Sequence, residues 1–322
     1  MKNKLLALLA SVGLVASASA VEINENLSIN GFIDASYTHN DADGIGEDQQ
    51  LGLDEIELNF LYNHGPVSGM ISIDDYDGEG YADNEQIDIE QAHITYSLDN
   101  GVSFTIGKYG SALGFEREDP AGLYTYSRAY SGVSIDDDGK NLFNLGDVDT
   151  NVVEGLTIAY ANDTFSIGAS FENGADVNMD GDNLNTEIAF AYTGFENVNL
   201  GGGYYFDNQS NRTLEVDILN LHASVTMDKL LLAVEYTELQ TDTNSGDRDG
   251  YLFLADYDFN EKLGGALRYS SAETDQNEDF DKLTIAPNYA ITDNLGVILE
   301  YSDIDQGESD EDLLALEFTY TF

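Results

Sequence analysis

Apolar residues occupy every second position through the end of this chain. Leu314, Leu316, Phe318, Tyr320 and Phe322 alternate with alanine, glutamate and threonine. A period of two places the apolar side chains on one face of a β-strand and the remaining side chains on the other. The same alternation, usually closed by an aromatic residue, recurs along the chain, so the sequence predicts an all-β protein of repeated amphipathic strands.

The first residues are typical of an export signal rather than of a folded element. Lys2 and Lys4 precede an apolar stretch, and the small residues that end at Ala20 form a cleavage site. We therefore predict a secretory signal peptide over 1–20 and a single mature domain over 21–322.

No later stretch approaches the roughly 18 uninterrupted apolar residues that a transmembrane helix needs. Sixteen segments instead show the pattern of a strand, and an even number of strands is typical of a bacterial outer-membrane barrel. The predicted strands are 27–38, 51–64, 67–76, 86–98, 102–108, 153–161, 164–172, 184–193, 198–207, 213–226, 229–240, 250–258, 263–272, 280–290, 295–303 and 312–322.

The connections between these segments alternate between short turns and long loops. The short turns carry Gly, Asn and Asp, whereas the long loops are acidic. A barrel with this many strands encloses a lumen that side chains cannot fill, so the apolar faces must point outward to lipid. Aromatic residues at both ends of the strands then form two girdles, and the predicted fold is a transmembrane antiparallel β-barrel.

The charge of the chain is strongly negative, with 12 basic against 61 acidic residues and a formal net charge of −49. Removal of Lys2 and Lys4 with the signal peptide takes the net charge from −49 to −51. Such a chain disfavours nucleic acid as a partner and favours cations. The same acidity is also typical of adaptation to a saline habitat, and the two explanations are compatible.

The connection after the fifth predicted strand is exceptionally long, from Tyr109 to Val152. Loops of this length are usually functional or disordered, and this one mixes aromatic with charged residues, which favours packing against the inner wall of the barrel. In combination with the export signal, the strand rhythm and the terminal Phe322, the chain resembles the Gram-negative porin family. The stretches that carry this resemblance are Gly107-Lys108-x-Gly110, Gly114-Phe115-Glu116 and Tyr126-Ser127-Arg128.

The resemblance implies a passive, water-filled channel for small hydrophilic solutes in the outer membrane of a Gram-negative bacterium. It also implies a homotrimer, contact with outer-membrane lipid and lipopolysaccharide, and a third outer loop that folds inward to narrow the pore. The terminal Phe322 resembles the signal that the barrel-insertion machinery recognises.

The resemblance further implies a constriction with an acidic half and a basic half. Carried over to this chain, the acidic half is Glu116, Glu118 and Asp119. The candidates for the basic half are Lys108, Arg117, Arg128, Arg268 and Lys282. Because the basic candidates are few, we expect cations to pass more readily than anions. The alternative is a solvated surface loop in which Arg117 and Arg128 form local ion pairs.

One acidic stretch matches the spacing of oxygen ligands in a calcium loop, with Gly181 at the sixth position. The candidate Ca²⁺ ligands are Asp176, Asn178, Asp180, Asp182 and Glu187. The alternative is an acidic outer loop that attracts divalent cations loosely. Apart from this Ca²⁺, no cofactor is expected.

Two other functions remain open from the sequence. A substrate-specific channel for sugars or organic cations would use aromatic side chains in the lumen, and Tyr124, Tyr126 and Tyr130 are candidates. A non-transporting surface barrel, such as an adhesin, would use its loops to bind a partner. The chain is not expected to be an enzyme, because its histidines show neither the spacing of metal ligands nor that of a catalytic triad.

Overall fold

The computed structural model describes residues 20–42, 44, 46–76, 88–116, 120–130, 152–173, 183–208, 216–241, 247–274, 279–307 and 309–322. Within these residues the protein is built from β-strands, with one 3₁₀ turn at Pro120–Gly122. None of the helical structure in the described ranges is long and apolar enough to cross a bilayer.

Sixteen long strands follow one another around a closed antiparallel barrel. Each strand pairs with the next one in the chain, and the last returns to pair with β2. A short strand, β1, precedes them. The strands are β1 (Val21–Asn24), β2 (Leu27–Ala42), β3 (Gly46–His64), β4 (Val67–Tyr76), β5 (Asp88–Ser97), β6 (Val102–Gly110), β7 (Val152–Ala161), β8 (Phe165–Glu172), β9 (Asn185–Phe195), β10 (Val198–Phe206), β11 (Val216–Met227), β12 (Leu230–Thr241), β13 (Arg248–Tyr257), β14 (Leu263–Thr274), β15 (Phe280–Ala290), β16 (Leu295–Gln306) and β17 (Ser309–Thr321).

The prediction of a sixteen-stranded antiparallel barrel is confirmed, and each predicted strand overlaps one of β2–β17. The largest differences lie at the outer ends of β2, β3, β16 and β17, which continue several residues into stretches predicted as loops. These ends are rich in Asp and Glu, so they carry no apolar alternation. They are strands because pairing with a neighbour satisfies the backbone N–H and C=O groups. The short β1, which pairs with the start of β2, was not predicted.

Asparagine and aspartate shape the short turns. The Asn162 side-chain oxygen accepts hydrogen bonds from the backbone N–H groups of Thr164 at 2.8 Å and Phe165 at 3.0 Å. Two other turns place a non-glycine residue in the left-handed region, Asn197 with φ 60° and Asp228 with φ 54°. These residue types tolerate that conformation because their short polar side chains bond to nearby backbone.

The barrel closes where the two ends of the domain meet. The Phe322 backbone N–H donates to the Gly31 carbonyl at 3.0 Å, and the Gly31 N–H donates to the Phe322 carbonyl at 3.1 Å. A Cβ atom on Gly31 would lie 2.1 Å from the Glu57 carbonyl oxygen and 3.0 Å from the Phe322 ring. Only glycine therefore fits this point of closure.

The two faces of the sheet differ as the alternation predicts. On β16, Leu299 and Tyr301 are 45% and 46% exposed on the outer face, whereas Glu300 and Ser302 are fully buried on the inner face. The apolar side chains therefore form the outer surface, and the polar side chains line the lumen. Aromatic residues at strand ends are among the exposed apolar side chains, as expected for interfacial girdles.

Tyrosines of the outer girdle pair with aspartates one strand further along the chain. The Tyr236 hydroxyl donates to Asp249 at 2.5 Å, and the Tyr301 hydroxyl donates to Asp312 at 2.6 Å. Tyr269 pairs with Asp281 in the same way. Each pair keeps an aromatic ring at the level of the lipid and places its polar end at the water boundary.

Candidate functional site

The segment that follows β6 lies against the inner wall of the barrel. Here the inner loop denotes residues 111–151, of which 111–116 and 120–130 are described. Its contacts fall on inward-facing side chains of β9, β11, β12, β14, β15, β16 and β2, and these strands occupy much of the circumference. A segment that contacts the inner face of so many strands must run inside the lumen.

The first residues of the inner loop, which follow β6 in the chain, contact β9. Ser111 Oγ donates to Glu187 Oε2 at 2.6 Å, and the Ala112 backbone N–H donates to Glu187 Oε1 at 2.9 Å. Leu113 packs on the cluster that contains Tyr205 of β10. A Cβ atom on Gly203 would lie 2.7 Å from the Leu113 side chain, so glycine at this position leaves room for the loop.

The next residues of the inner loop contact two further strands, β11 and β12. The Gly114 N–H donates to the side-chain oxygen of Asn220 on β11 at 3.2 Å. The Phe115 N–H donates to Glu235 Oε1 on β12 at 2.8 Å, and Asn220 Nδ2 donates to the same Glu235 oxygen at 2.7 Å. Because this segment has no sheet or helix partner, wall carboxylates and amides satisfy its buried backbone donors.

Arg268 of β14 is the centre of the contacts between the inner loop and the wall. Its Nη1 donates to Glu116 Oε1 at 2.6 Å and to Thr125 Oγ1 at 2.7 Å. Its Nη2 donates to Ser127 Oγ at 3.2 Å and to the Arg128 carbonyl at 3.1 Å. The Arg268 side chain is fully buried, and that of Glu116 is 9% exposed. The guanidinium thus joins two stretches of the loop to each other and to the wall.

Glu300 of β16 holds the same part of the inner loop from the other side. Its carboxylate accepts a hydrogen bond from the Ser127 N–H at 3.0 Å, and it also accepts from the Ser127 hydroxyl. Ser302 Oγ donates to Glu300 at 2.7 Å. On β15, Lys282 Nζ donates to the Arg128 carbonyl at 3.3 Å.

Aromatic side chains anchor the apolar side of the inner loop. Tyr126 and Tyr130 pack on a buried cluster that includes Phe280 and Leu313. Burial raises the pKa of Tyr126 to about 12, and burial also raises the pKa values of Tyr124 and Tyr130. These hydroxyls therefore stay neutral at physiological pH and add no charge to the lumen.

The structure brings together four of the residues predicted for the constriction, namely Glu116, Arg128, Arg268 and Lys282. Their arrangement differs from two rims that face each other across water, because Arg268 and Lys282 bond to the loop itself. The predicted constriction residues Arg117, Glu118 and Asp119 lie outside the described residues.

Lys108 requires a correction, because the structure places it on the outer face of the barrel. It shares this face of β6 with Phe104 and Ile106, which are 38% and 61% exposed. Its ammonium donates to the Ile89 carbonyl at 3.0 Å. The alternation of β6 through Phe104 and Ile106 already indicates that Lys108 faces outward. Because it lies on the outer face, Lys108 is not a member of the constriction.

Most of the predicted calcium ligands cannot be placed. Asp176, Asn178, Asp180 and Asp182 lie outside the described residues, and Glu187 is the carboxylate that holds Ser111 and Ala112. Within the described ranges, no group of three or more acidic, His or Cys side chains is arranged to hold a metal ion. The calcium loop stays a prediction.

The sequence pattern did not single out the wall residues that hold the inner loop. Asn220, Glu235 and Glu300 were missed, and Glu187 was assigned a different role. All four lie on the inward face that the alternation defines. Their inward position was thus visible in the sequence, but their contact with a loop more than seventy residues away was not.

Comparison with known proteins identifies the family. The model of the Gram-negative porin family matches residues 6–309. The chain belongs to this family. No protein with a curated description matches the sequence of this porin.

Solved structures of other proteins share the fold of this porin at low sequence identity. OmpF of Salmonella typhi, solved with daunomycin, has a TM-score of 0.69 at 13% identity, and the match covers 94% of this chain and 100% of that one. The anion-selective porin of Comamonas acidovorans has a TM-score of 0.66 at 13% identity, over 92% and 99% of the two chains. A trimer form of OmpT of Vibrio cholerae has a TM-score of 0.60 at 14% identity, over 92% and 100%.

Family and fold together place the protein in the outer membrane, where it forms a porin-type channel. This agrees with the outward apolar face of the strands, because a closed barrel satisfies every backbone group within lipid.

Proposed function

We propose that this porin is a passive diffusion channel for small hydrophilic solutes and that it prefers cations. The support is the charge on the inner wall, where buried carboxylates outnumber buried basic groups among the described residues. The buried wall carboxylates are Asp34, Glu55, Glu57, Glu172, Glu187, Glu235, Glu300 and Glu317, and the buried wall bases are Arg248, Arg268 and Lys282.

The observation that carries this proposal is the burial of Arg268 against Glu116. The net charge along the lumen sets the sign of the preferred ion. The charge of Arg268 is balanced by a carboxylate of the inner loop at 2.6 Å. The pair of Arg268 and Glu116 carries no net charge, so this base does not offset the wall carboxylates.

The fold alone does not determine the sign of the selected ion. The similar barrel from Comamonas acidovorans is an anion-selective porin. The sign follows from the charges that line the lumen, and in this chain these charges are mainly negative.

The direct test is the zero-current potential of the purified porin in a planar bilayer under a KCl gradient. We expect the sign of a cation-selective channel. Glu55→Gln combined with Glu57→Gln removes two inward-facing carboxylates on β3, and we expect it to reduce the potential towards zero.

The matched control is Asp303→Asn, which removes the same kind of charge from the exposed outer face of β16. This variant should leave the zero-current potential unchanged, because screening separates an outer charge from the pore. A potential of anion-selective sign in the unmodified porin would refute the proposal.

A narrower function, specific uptake of sugars or organic cations, is favoured by aromatic rings on the inner loop. The Phe115 and Tyr124 rings stack with an interplanar angle of 2° and centroids 6.3 Å apart, and Phe115 also contacts the His222 ring. Stacked rings bind the faces of sugars and cationic groups.

Concentration-dependent block of single-channel current by a sugar or a quaternary amine, lost in Tyr124→Leu, would establish this function. Ohmic current without block would exclude it for that solute.

We also propose that the porin assembles as a homotrimer that contacts lipopolysaccharide, with Phe322 as the signal for the barrel-insertion machinery. The trimer form of Vibrio cholerae OmpT supports the first part. Chemical cross-linking in native outer membranes should give a trimer band, and a monomer as the sole product would contradict it.

A further inference from the structure

Two buried carboxylates lie on the inner wall where β8 and β9 meet the start of the inner loop. Glu172 is the last residue of β8 and is 1% exposed, and Glu187 of β9 is 3% exposed. In the strand register Glu172 pairs with Asn185, and Glu187 pairs with Ser170. The two glutamates are therefore diagonal neighbours on the same face of the sheet, where Cα atoms lie roughly 7–8 Å apart and long side chains meet.

The two carboxylates differ in their hydrogen bonds. Both oxygens of Glu187 accept from the inner loop, from Ser111 Oγ and the Ala112 N–H. Neither oxygen of Glu172 has a hydrogen-bond partner of ordinary geometry within the part of the chain that the structure describes, although the Ser170 hydroxyl lies close to this carboxylate. The adjacent Ser170 hydroxyl forms a hydrogen bond of 2.8 Å with the Tyr109 hydroxyl.

The negative charge of this pair is not balanced by a described base. Among the described residues, no Lys, Arg or His side chain forms an ion pair with either Glu172 or Glu187. Two buried like charges without a countercharge are strongly unfavourable, so a bound cation or a proton would stabilise such a site. A single proton or a monovalent ion would leave one negative charge buried, whereas a divalent cation balances both.

We propose that Glu172 and Glu187 bind a divalent cation, with Ca²⁺ as the best fit. Calcium accepts six to eight oxygen ligands in flexible geometry, including carboxylates and water. The carboxylates supply the charge, the hydroxyls of Ser170 and Tyr109 supply nearby neutral oxygens, and water completes the shell. The site differs from the calcium loop predicted from the sequence, because Glu172 is not part of that ligand pattern.

The position of the site couples the ion to the inner loop. Glu187 holds the first turn of that loop through Ser111 and Ala112, so an ion at Glu187 stabilises the carboxylate that anchors the loop. The inference does not depend on the ion selectivity of the pore, and a channel of either selectivity could contain this site.

The test is binding of Ca²⁺ to the full-length mature porin in detergent, after removal of metal with a chelator. Salt is kept high, because salt screens weak binding to the exposed acidic loops. Tb³⁺ serves as the luminescent probe and Ca²⁺ as the competitor. The chain contains no Trp, so tyrosine sensitises the probe, and Tyr109 lies beside the site.

We expect Glu172→Gln, which keeps the shape of the side chain, to weaken Ca²⁺ competition by about tenfold or more. The matched control is Glu57→Gln, which changes a wall glutamate of similar burial on β3 and should leave binding unchanged. Heat-dependent migration in SDS gels shows whether each variant is folded. Added Ca²⁺ should raise the unfolding temperature of the unmodified porin and of Glu57→Gln, but not that of Glu172→Gln.

Two results would overturn the proposal. Equal Ca²⁺ affinity in Glu172→Gln and the unmodified porin would show that the pair holds no ion. Loss of binding in Asp180→Asn with full retention in Glu172→Gln would place the ion in the outer loop. A higher unfolding temperature of Glu172→Gln without any response to Ca²⁺ would identify a shared proton, and it too contradicts the proposal.

Discussion

Arg268→Ala is expected to release the inner loop from the wall and to destabilise the porin by about 3–5 kcal/mol, the cost of breaking a buried ion pair. The substitution leaves Glu116 with an unbalanced charge in a site where its side chain is 9% exposed. It also removes hydrogen bonds to Thr125, Ser127 and the Arg128 carbonyl. Urea titration of the folded, heat-modifiable form measures the change.

The same variant should alter the channel, because the released loop no longer has a defined position in the lumen. We expect larger current fluctuations in single-channel recordings and increased proteolysis within the inner loop. Combining Arg268→Ala with Glu116→Gln should recover part of the lost stability, since the double variant removes the unpaired charge. The control is Lys262→Gln, which removes an exposed positive charge at a short turn. If Arg268→Ala unfolds at the urea concentration of the unmodified porin, the loop is not held by this residue.

Gly31→Val is expected to prevent closure of the barrel. A Cβ atom at this position would lie 2.1 Å from the Glu57 carbonyl oxygen, and the added methyl groups would crowd the ring of Phe322. Displacement of β2 from β3 at this point, together with displacement of Phe322 after the end of β17, would expose backbone groups to lipid, where each unsatisfied group costs several kcal/mol. We therefore expect almost none of the folded, heat-modifiable form after refolding in detergent.

Gly296→Val provides the matched control, because a Cβ atom at Gly296 would meet no atom within 4 Å. Both substitutions place valine in a barrel strand, so a difference between them reports the contact at the closure point and not the propensity of the residue. Normal refolding yield of Gly31→Val would mean that the seam tolerates a side chain.

The strands could be predicted because the membrane imposes a simple rule on them. Lipid outside and polar groups inside require a period of two, as in Leu299, Glu300, Tyr301 and Ser302, and each strand carries this pattern in its own residues. The acidic ends of β2, β3, β16 and β17 extend above the apolar band, so their alternation was weaker and their length was underestimated.

The functional site could be predicted only in part. Glu116, Arg268 and Lys282 were assigned to the lumen by resemblance and alternation, but the pairing of Glu116 with Arg268 joins residues 152 positions apart. Nothing local in either segment indicates which wall residue a loop will meet. The role of Glu187, Glu235 and Glu300 as acceptors for loop backbone N–H groups was not visible for the same reason.

The sequence by itself determined the class of the protein, the number of strands and the face that each strand turns to lipid, since these follow from residues two positions apart. Only the tertiary structure decided how the lumen charges are used. It buried Arg268 against Glu116 and brought Glu172 next to Glu187 at the base of the inner loop. These pairings arise from closure of the barrel around the loop, which brings together side chains that are distant along the chain.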